Sequence, residues 1–168
     1  GLLSPGDMGH AVGRMIGGHG LRVITCLQGR SERTRGLAAE AGIEEVASYG
    51  ELVAEAQLIL SIVVPAQAVA VAERVAAAIG ENRPSANRVV TYADCNAIAP
   101  QTARDIERII TDAGARFVDA GIIGPPPRPG ARTRFYASGV HTEAMLALNN
   151  RGLDVVDLHG PSGQASGF

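Results

Sequence analysis

No lysine and no tryptophan occur among the 168 residues, and all 15 basic side chains are arginines. The missing lysine excludes from these residues a Schiff-base amine, a Walker-type phosphate lysine and the lysine of a Tyr-x-x-x-Lys reductase. A catalytic lysine, if the protein uses one, must come from outside them. Positive charge is scarce as well: 15 basic against 17 acidic residues give a net charge of −2. Nucleic-acid binding relies on clustered excess positive charge, so no nucleic-acid partner is expected. Only two cysteines occur, Cys26 and Cys95, each inside an apolar run. They read as buried thiols of a reduced cytoplasmic protein rather than as a disulfide. No apolar run approaches the ~20 residues of a membrane helix and no signal-peptide pattern opens the chain, so no membrane partner is expected. What is present, 46% hydrophobic content over this length, suits one compact domain with a real core.

Short β-rich runs alternate with longer Ala/Arg/Glu-rich segments. Leu2-Leu3 reads as the tail of a strand whose beginning is absent, and both chain ends read as trimmed. Helical spacing of Met8, Ala11, Val12, Met15 and Ile16 predicts a helix over Asp7–His19, stopped near Gly20. A strand is predicted at Leu21–Leu27. Ser31 is placed to cap a helix that runs to Ala41 and is closed by Gly42. A short strand at 43–46 and a helix over 49–56 follow. The almost wholly apolar run Leu58–Val64 predicts a central parallel strand, ended by Pro65. Further elements are a helix over 67–79, a polar connection at 80–87, a strand at 89–93, a helix over 101–113 and a strand at 117–120. A proline-rich loop at 124–130, a strand at 134–137, a helix over 142–150 and a strand at 154–158 complete the series. With no internal repeat and no second hydrophobic core, the pattern predicts a Rossmann-like, doubly wound α/β fold. Its sheet is mostly parallel, with helices on both faces and right-handed crossovers. Ligands of such sheets sit at the carboxyl ends of the strands.

The first such strand end carries Ser4-Pro5-Gly6-Asp7-Met8-Gly9. Against G-x-G-x-x-G, Gly6 and Gly9 hold the second and third glycine positions and Ser4 the first. Gly6 lets the backbone approach a pyrophosphate, Gly9 lets the helix lie close to the strand, and the helix N-terminus offers N–H donors. The Ser4 hydroxyl is a further donor. An NAD site usually places an acid at the end of the second strand, about 20 residues on, to hold the ribose 2′-hydroxyl. Here Gln28-Gly29-Arg30-Ser31-Glu32-Arg33 has no acid directly at the strand end. Arg30, Ser31 and Arg33 suit a 2′-phosphate, so NADP is expected over NAD. The same residues argue against an S-adenosylmethionine-dependent methyltransferase.

With these motifs in order, the chain resembles the 3-hydroxyisobutyrate and 6-phosphogluconate dehydrogenase superfamily, the β-hydroxyacid dehydrogenases. The resemblance spans nearly the whole chain. It rests on Gly6-Asp7-Met8-Gly9, on Asp94-Cys95-Asn96 followed by Pro100, on Ala115-Arg116-Phe117-Val118-Asp119-Ala120, and on Gly163-Gln164-Ala165. It implies that Val64 and Pro65 border the adenosine ribose and the nicotinamide. It also implies that the segment at Asp94-Cys95-Asn96-Ala97, where the family has Asp-x-Ser-Thr, faces nicotinamide and substrate, with Asn96 as a hydrogen-bonding candidate. The family's Asp-Ala-x-x-Ser-Gly-Gly substrate loop corresponds to Asp119–Pro125, where Ile123 replaces the serine and Pro125 the final glycine. Ile123 and Gly124 are thus substrate-side candidates, and the usual hydroxy acid is in question.

The family's catalytic lysine follows the Gly-Gln-Ala segment, at or beyond Phe168. The resemblance therefore implies an NAD(P)-binding domain over 1–160. Residues 161–168 would begin a linker to a helical domain not present, through which a homodimer would form. The implied activity is NADP-dependent hydride transfer between nicotinamide and a small hydroxy acid or carbonyl substrate. Imine reduction and non-catalytic NADPH binding are the alternatives.

The remaining polar residues read as structural. His19 suits a helix C-terminus, His141 a helix start and His159 the terminal linker. Asp94 and Asp119 read as hydrogen-bonding scaffold, Tyr92 and Tyr136 as core or strand residues, and Arg128 and Arg132 as loop charges. No Cys/His cluster has ligand spacing, so no metal is expected.

Overall fold

The computed structural model describes residues 1–82 and 88–168. Strands and helices alternate as β1 (Leu2–Leu3), α1 (Asp7–Gly18), β2 (Ile24–Cys26), α2 (Glu32–Glu40), β3 (Glu44–Val46), α3 (Tyr49–Glu55), β4 (Leu58–Ser61), α4 (Ala68–Glu81), β5 (Thr91–Asp94), α5 (Pro100–Asp112), β6 (Arg116–Ile123), β7 (Arg134–Ser138), α6 (Glu143–Leu146) and β8 (Asp154–Asp157). The main sheet has the order β1-β4-β5-β6-β7-β8, and β2 and β3 form a parallel pair beside β1. Pairing is parallel except between β6 and β7. This is the Rossmann-like, mostly parallel doubly wound sheet that the alternation predicted. The chain moves outward from β1 to β3 and then returns to β4 on the other side of β1. The crevice at the carboxyl ends of β1 and β4 is therefore the switch point at which such sheets bind ligands.

Strand alternation builds the two faces. Leu3, Ile59, Tyr92 and Phe117 point to one, where they join buried residues of α3, α4 and α5 such as Leu52, Val75 and Ile106. Leu2, Leu60, Ala93 and Val118 point to the other, with Val12 of α1 and Met145 of α6. The two hydrophobic clusters are thus the two sides of one sheet. Ser31 caps α2 as expected, its Oγ accepting from the Thr34 amide at 3.3 Å.

Several boundaries differ from expectation for identifiable reasons. β4 stops at Ser61 rather than Val64 because the Val63 amide leaves the ladder and donates to the Asn96 side chain at 2.7 Å. β2 is limited to Ile24–Cys26 by a partner, β3, of three residues. α4 continues through Gly80 to Glu81. The remainder of the polar connection expected at 80–87 falls largely on residues 83–87, outside the described residues. β5 begins at Thr91 rather than at residue 89, and Val89 is exposed. β6 is twice the predicted length because β7 folds back along it, from Asp119 opposite Ser138 to Ile123 opposite Arg134. The helix expected over 142–150 is a single α-turn followed by a 3₁₀ turn over Ala147–Arg151, and Gly152 closes it at φ 88°.

Candidate cofactor-binding site

Ser4 leaves β1 with φ 53°, in the left-handed region that favours glycine, which is why the motif's first position is usually glycine. The turn is closed by the Gly6 amide on the Ser4 carbonyl at 2.6 Å. Gly6 itself has φ −76°, and a Cβ there would meet nothing nearer than the Ser4 carbonyl oxygen at 3.9 Å. Neither conformation nor packing demands glycine at this position; its missing side chain leaves open space over the start of α1. Among the described residues no side chain caps that helix, which leaves its first N–H groups available as donors. Turn, open space and uncapped donors together fit a dinucleotide pyrophosphate. Gly9 is buried, but its Cβ would make only ordinary contacts. The close approach of α1 occurs one turn later at Gly13, where a Cβ would stand 2.6 Å from Ile43. His10, given no role by its sequence pattern, bonds through Nδ1 with the Gly6 carbonyl at 2.9 Å and holds the turn onto the helix. Because Ser4 is strained, Ser4→Gly is expected to raise the urea midpoint and Ser4→Val to lower stability by about 1–2 kcal/mol. Equal melts for the two variants would show that the turn relaxes freely.

At the end of β2 the Ser31 hydroxyl is engaged with Thr34. Arg30 closes the turn through its amide on the Leu27 carbonyl. Arg33 reaches across to the first turn of α1 and pairs with Asp7 at 2.5 Å, both side chains about two-thirds exposed. The structure thus brings Arg33 to the start of α1, beside the Gly6 turn. Arg35, which sequence reasoning passed over, donates to the Leu27 carbonyl and to Glu45, both at 2.9 Å, and ties the strand end down.

Val64 is exposed at the carboxyl end of β4, and Pro65 opens a 3₁₀ turn. Asn96 lies behind them, 3% exposed. Its Oδ1 accepts from Val63, and its Nδ2 donates to Ser61 Oγ at 3.2 Å and to Asp94 Oδ1 at 3.0 Å. Both amide hydrogens are therefore engaged within the scaffold, and Asn96 positions the Val63–Pro65 loop. The backbone register places Ser61, Asp94, Asp119 and Ser138 side by side across four strands, each 0% exposed. In this row Asp94 Oδ2 and Asp119 Oδ1 have no hydrogen-bond partner among the described residues. Burial pushes the Asp94 carboxyl up to about 7; the two hydrogen bonds from Asn96 oppose this, and neighbouring Asp119 adds to it. Tyr92, also fully buried, has its phenol pushed up by burial, which suits the core role expected of it.

On the expected substrate side, Ile123 ends β6 half-exposed. Gly124 turns away at φ 123°, where a Cβ would stand 2.5 Å from the Arg132 carbonyl oxygen. A cavity of about 710 Å³ opens here, lined by Ile123, Arg128, Arg132, Arg134 and Tyr136 among others. Arg134 is paired with Asp154 at 2.9 Å. Residues 161–168, expected as the start of a linker, fold back onto the sheet. Asp119 Oδ2 accepts from Ser138 Oγ and from the amides of Gly163, Ala165 and Ser166 at 2.8–3.1 Å. Phe168 stacks on Tyr136. His19 bonds through Nδ1 with the Met15 carbonyl at the end of α1, and His159 is exposed at φ 53°. Cys26 and Cys95 are buried and free. Among the described residues, no group of three His, Cys, Asp or Glu side chains could hold a metal ion, and no helix is long and apolar enough to cross a membrane.

Comparison with known proteins agrees with this geometry. Residues 1–147 match the family described as the NAD binding domain of 6-phosphogluconate dehydrogenase. An uncharacterized 28.5 kDa protein from Methanothermus fervidus is 27% identical over 146 residues, which cover 87% of this chain and 53% of that protein. The solved structure of MTH1747, a conserved protein of unknown function described as similar to 3-hydroxyacid dehydrogenases, superposes with a TM-score of 0.83 at 30% identity. The match covers 98% of this chain and 59% of the other. The 3-hydroxyisobutyrate dehydrogenase of Mycobacterium tuberculosis shares the fold, with a TM-score of 0.78 at 21% identity over 98% of this chain and 55% of its own. So does an imine reductase of Bacillus cereus, at 0.76 and 19% over 99% and 56%. The chain therefore spans little more than half the length of the proteins it matches. Strand order, glycine turn and family match converge: this chain belongs to the family of NAD-binding domains of 6-phosphogluconate dehydrogenase.

Proposed function

We propose that this chain is the cofactor domain of an NADP-dependent oxidoreductase of the β-hydroxyacid dehydrogenase type. Its substrate would be a small hydroxy acid or carbonyl compound. The observation that carries the reading is the pairing of an uncapped α1 N-terminus over the open Gly6 turn with a β2 end that offers Arg30 and Arg33 and has no acid directly at the strand end. The amides at the start of α1 and the Ser4 hydroxyl would hold the pyrophosphate, and Arg33, with Arg30 beside it, the 2′-phosphate. Val64 and Pro65, set by Asn96, would border the nicotinamide ring, and Ile123 and Gly124 would stand on the substrate side. The bound nicotinamide would supply hydride chemistry; the domain's own contribution is to fix that ring within reach of the substrate. A proton donor, a homodimer contact and the rest of the substrate pocket are assigned to residues outside this chain. The free, buried thiols support a cytoplasmic setting.

The test is a fluorescence titration of the domain with NADPH and NADH, repeated on an Arg30→Ala, Arg33→Ala double variant. NADPH is expected to bind about tenfold or more tightly than NADH in the parent, and the variant to lose most of that margin. Equal affinity for both cofactors in the parent would sink the NADP assignment.

Imine reduction is a second reading, favoured by one observation. Ile123 presents an exposed apolar side chain on the substrate side, where the resembled family has a serine, so that position offers a hydroxy acid no hydrogen bond. Turnover of the full-length protein with hydroxy acids and with cyclic imines separates the two readings. Cofactor binding without turnover of either would leave a non-catalytic NADPH-binding module.

A further inference from the structure

The Arg33–Asp7 ion pair joins the two elements between which the adenosine half of a cofactor would lie. Asp7 is the first residue of α1, where the aligned peptide dipoles favour an anion. Arg33 lies in the first turn of α2, just beyond the Ser31 cap. The pair is monodentate in its closest contact, 2.5 Å from the guanidinium to Asp7 Oδ1, and both side chains are mostly in water. Such a pair is weak, with a net worth between nothing and about a fivefold change in an equilibrium constant. It is nevertheless placed where it matters. A guanidinium recognises a phosphate by offering its fork of donors, and here part of that fork is already turned toward a carboxylate of the same chain.

We propose that Asp7 is a specificity-determining residue: it competes with the cofactor's 2′-phosphate for Arg33 and thereby narrows the preference for NADPH over NADH. The inference rests on the proposed dinucleotide site. NADH, with a 2′-hydroxyl, binds with the Arg33–Asp7 pair intact. NADPH must draw Arg33 away and leave Asp7 unpaired beside the pyrophosphate. The same carboxylate also repels the pyrophosphate of either cofactor, so the diagnostic quantity is the ratio of the two affinities, not either one alone. Arg30 is a neighbouring cation that Asp7 does not hold, and it keeps a residual NADPH preference when Arg33 is removed.

A double-mutant cycle on the domain tests this, with NADPH and NADH titrated against the parent, Asp7→Asn, Arg33→Ala and the double variant. Asp7→Asn is expected to raise the ratio of NADH to NADPH dissociation constants about three- to fivefold, with NADPH itself binding more tightly. Arg33→Ala is expected to lower the ratio, and adding Asp7→Asn in that background to leave it unchanged. Titration with 2′-AMP isolates the phosphate in question and should tighten in Asp7→Asn only when Arg33 is present. If Asp7→Asn tightens both cofactors equally, Asp7 acts on the pyrophosphate alone and the competition is overturned. An unchanged ratio in Asp7→Asn beside a lowered one in Arg33→Ala also overturns it, while the NADP assignment stands. If Arg33→Ala leaves the ratio unmoved, both the competition and the role of Arg33 fall. Failure of the parent to bind either cofactor rejects the dinucleotide site itself. Both side chains are exposed, and matching circular dichroism and melting curves confirm that the variants fold.

Discussion

Asp119→Ala is expected to destabilise the domain by about 4 kcal/mol, lowering Tm by roughly 8–15 °C. One oxygen of this fully buried side chain accepts four hydrogen bonds, from Ser138 Oγ and the amides of Gly163, Ala165 and Ser166. Removing the acceptor leaves the Gly163 and Ser166 amides without their partner and the Ala165 amide with Ser138 Oγ alone, at a site from which water is largely excluded, and each lost partner costs about 1–3 kcal/mol, with incomplete additivity. The turn cannot easily move aside to recover. A Cβ on Gly121 would already stand 2.4 Å from the Ala165 carbonyl oxygen, and one on Gly163 would stand 2.8 Å from that of Pro100. The segment is therefore in close contact with β6 on one side and the start of α5 on the other. Urea unfolding gives the free energy, and hydrogen exchange at 163–166 locates the damage. In Asp119→Ala those amides should exchange orders of magnitude faster than in the parent. A loss below about 1 kcal/mol with unchanged exchange would mean that the turn is held by packing and not by the carboxylate. The contact's weight follows from its position, because Asp119 fixes the course of residues 163–166 over the end of the sheet.

This contact also shows where sequence reading reaches its limit. Periodicity and punctuation located the alternation of strands and helices, the Ser31 cap and the glycine turn, because each depends on neighbours within a few residues. The reach of β6 to Ile123 depended instead on a strand eleven residues further on that folds back along it, a pairing that no local pattern encodes. Residues 161–168 carry glycine, serine and proline and read as a linker by composition. Their order comes from Asp119, 44 residues or more away in the chain. One signal was available: an aspartate in the otherwise apolar run Phe117–Ala120 needs a buried donor set, and several glycines and serines later in the chain are able to supply it. The Asn96 contacts were equally non-local, since its amide joins β4 to β5. Gly9 was assigned the close helix–strand approach by motif, whereas the geometry assigns it to Gly13, one turn on, where Ile43 arrives from the end of α2. Arg33 was legible as a cation at the right strand end; its engagement by Asp7 was not, because ion pairs between separate helices leave no spacing rule.

The pH dependence of stability should carry the signature of Asp94. The folded protein holds its proton up to about 7, whereas an unfolded aspartate releases it near 4. Between those values the folded state binds the extra proton, so Asp94 makes stability fall as pH rises from about 4 to about 7 and contributes no further slope above that. Among its neighbours Asp119 from β6 raises it, Asn96 opposes through hydrogen bonds, and Ser61 from β4 carries no charge. The informative quantity is the difference between the parent and Asp94→Asn, in which the contributions of other titrating groups cancel. Asparagine keeps an acceptor for Asn96 and a donor where the protonated acid has one, so the variant imitates the neutral state at every pH. It is expected to match the parent near pH 4 and to exceed it by a few kcal/mol at pH 8, the gap opening between those values in urea melts taken at unit intervals. A constant difference across that range would show that Asp94 titrates as an ordinary carboxylate.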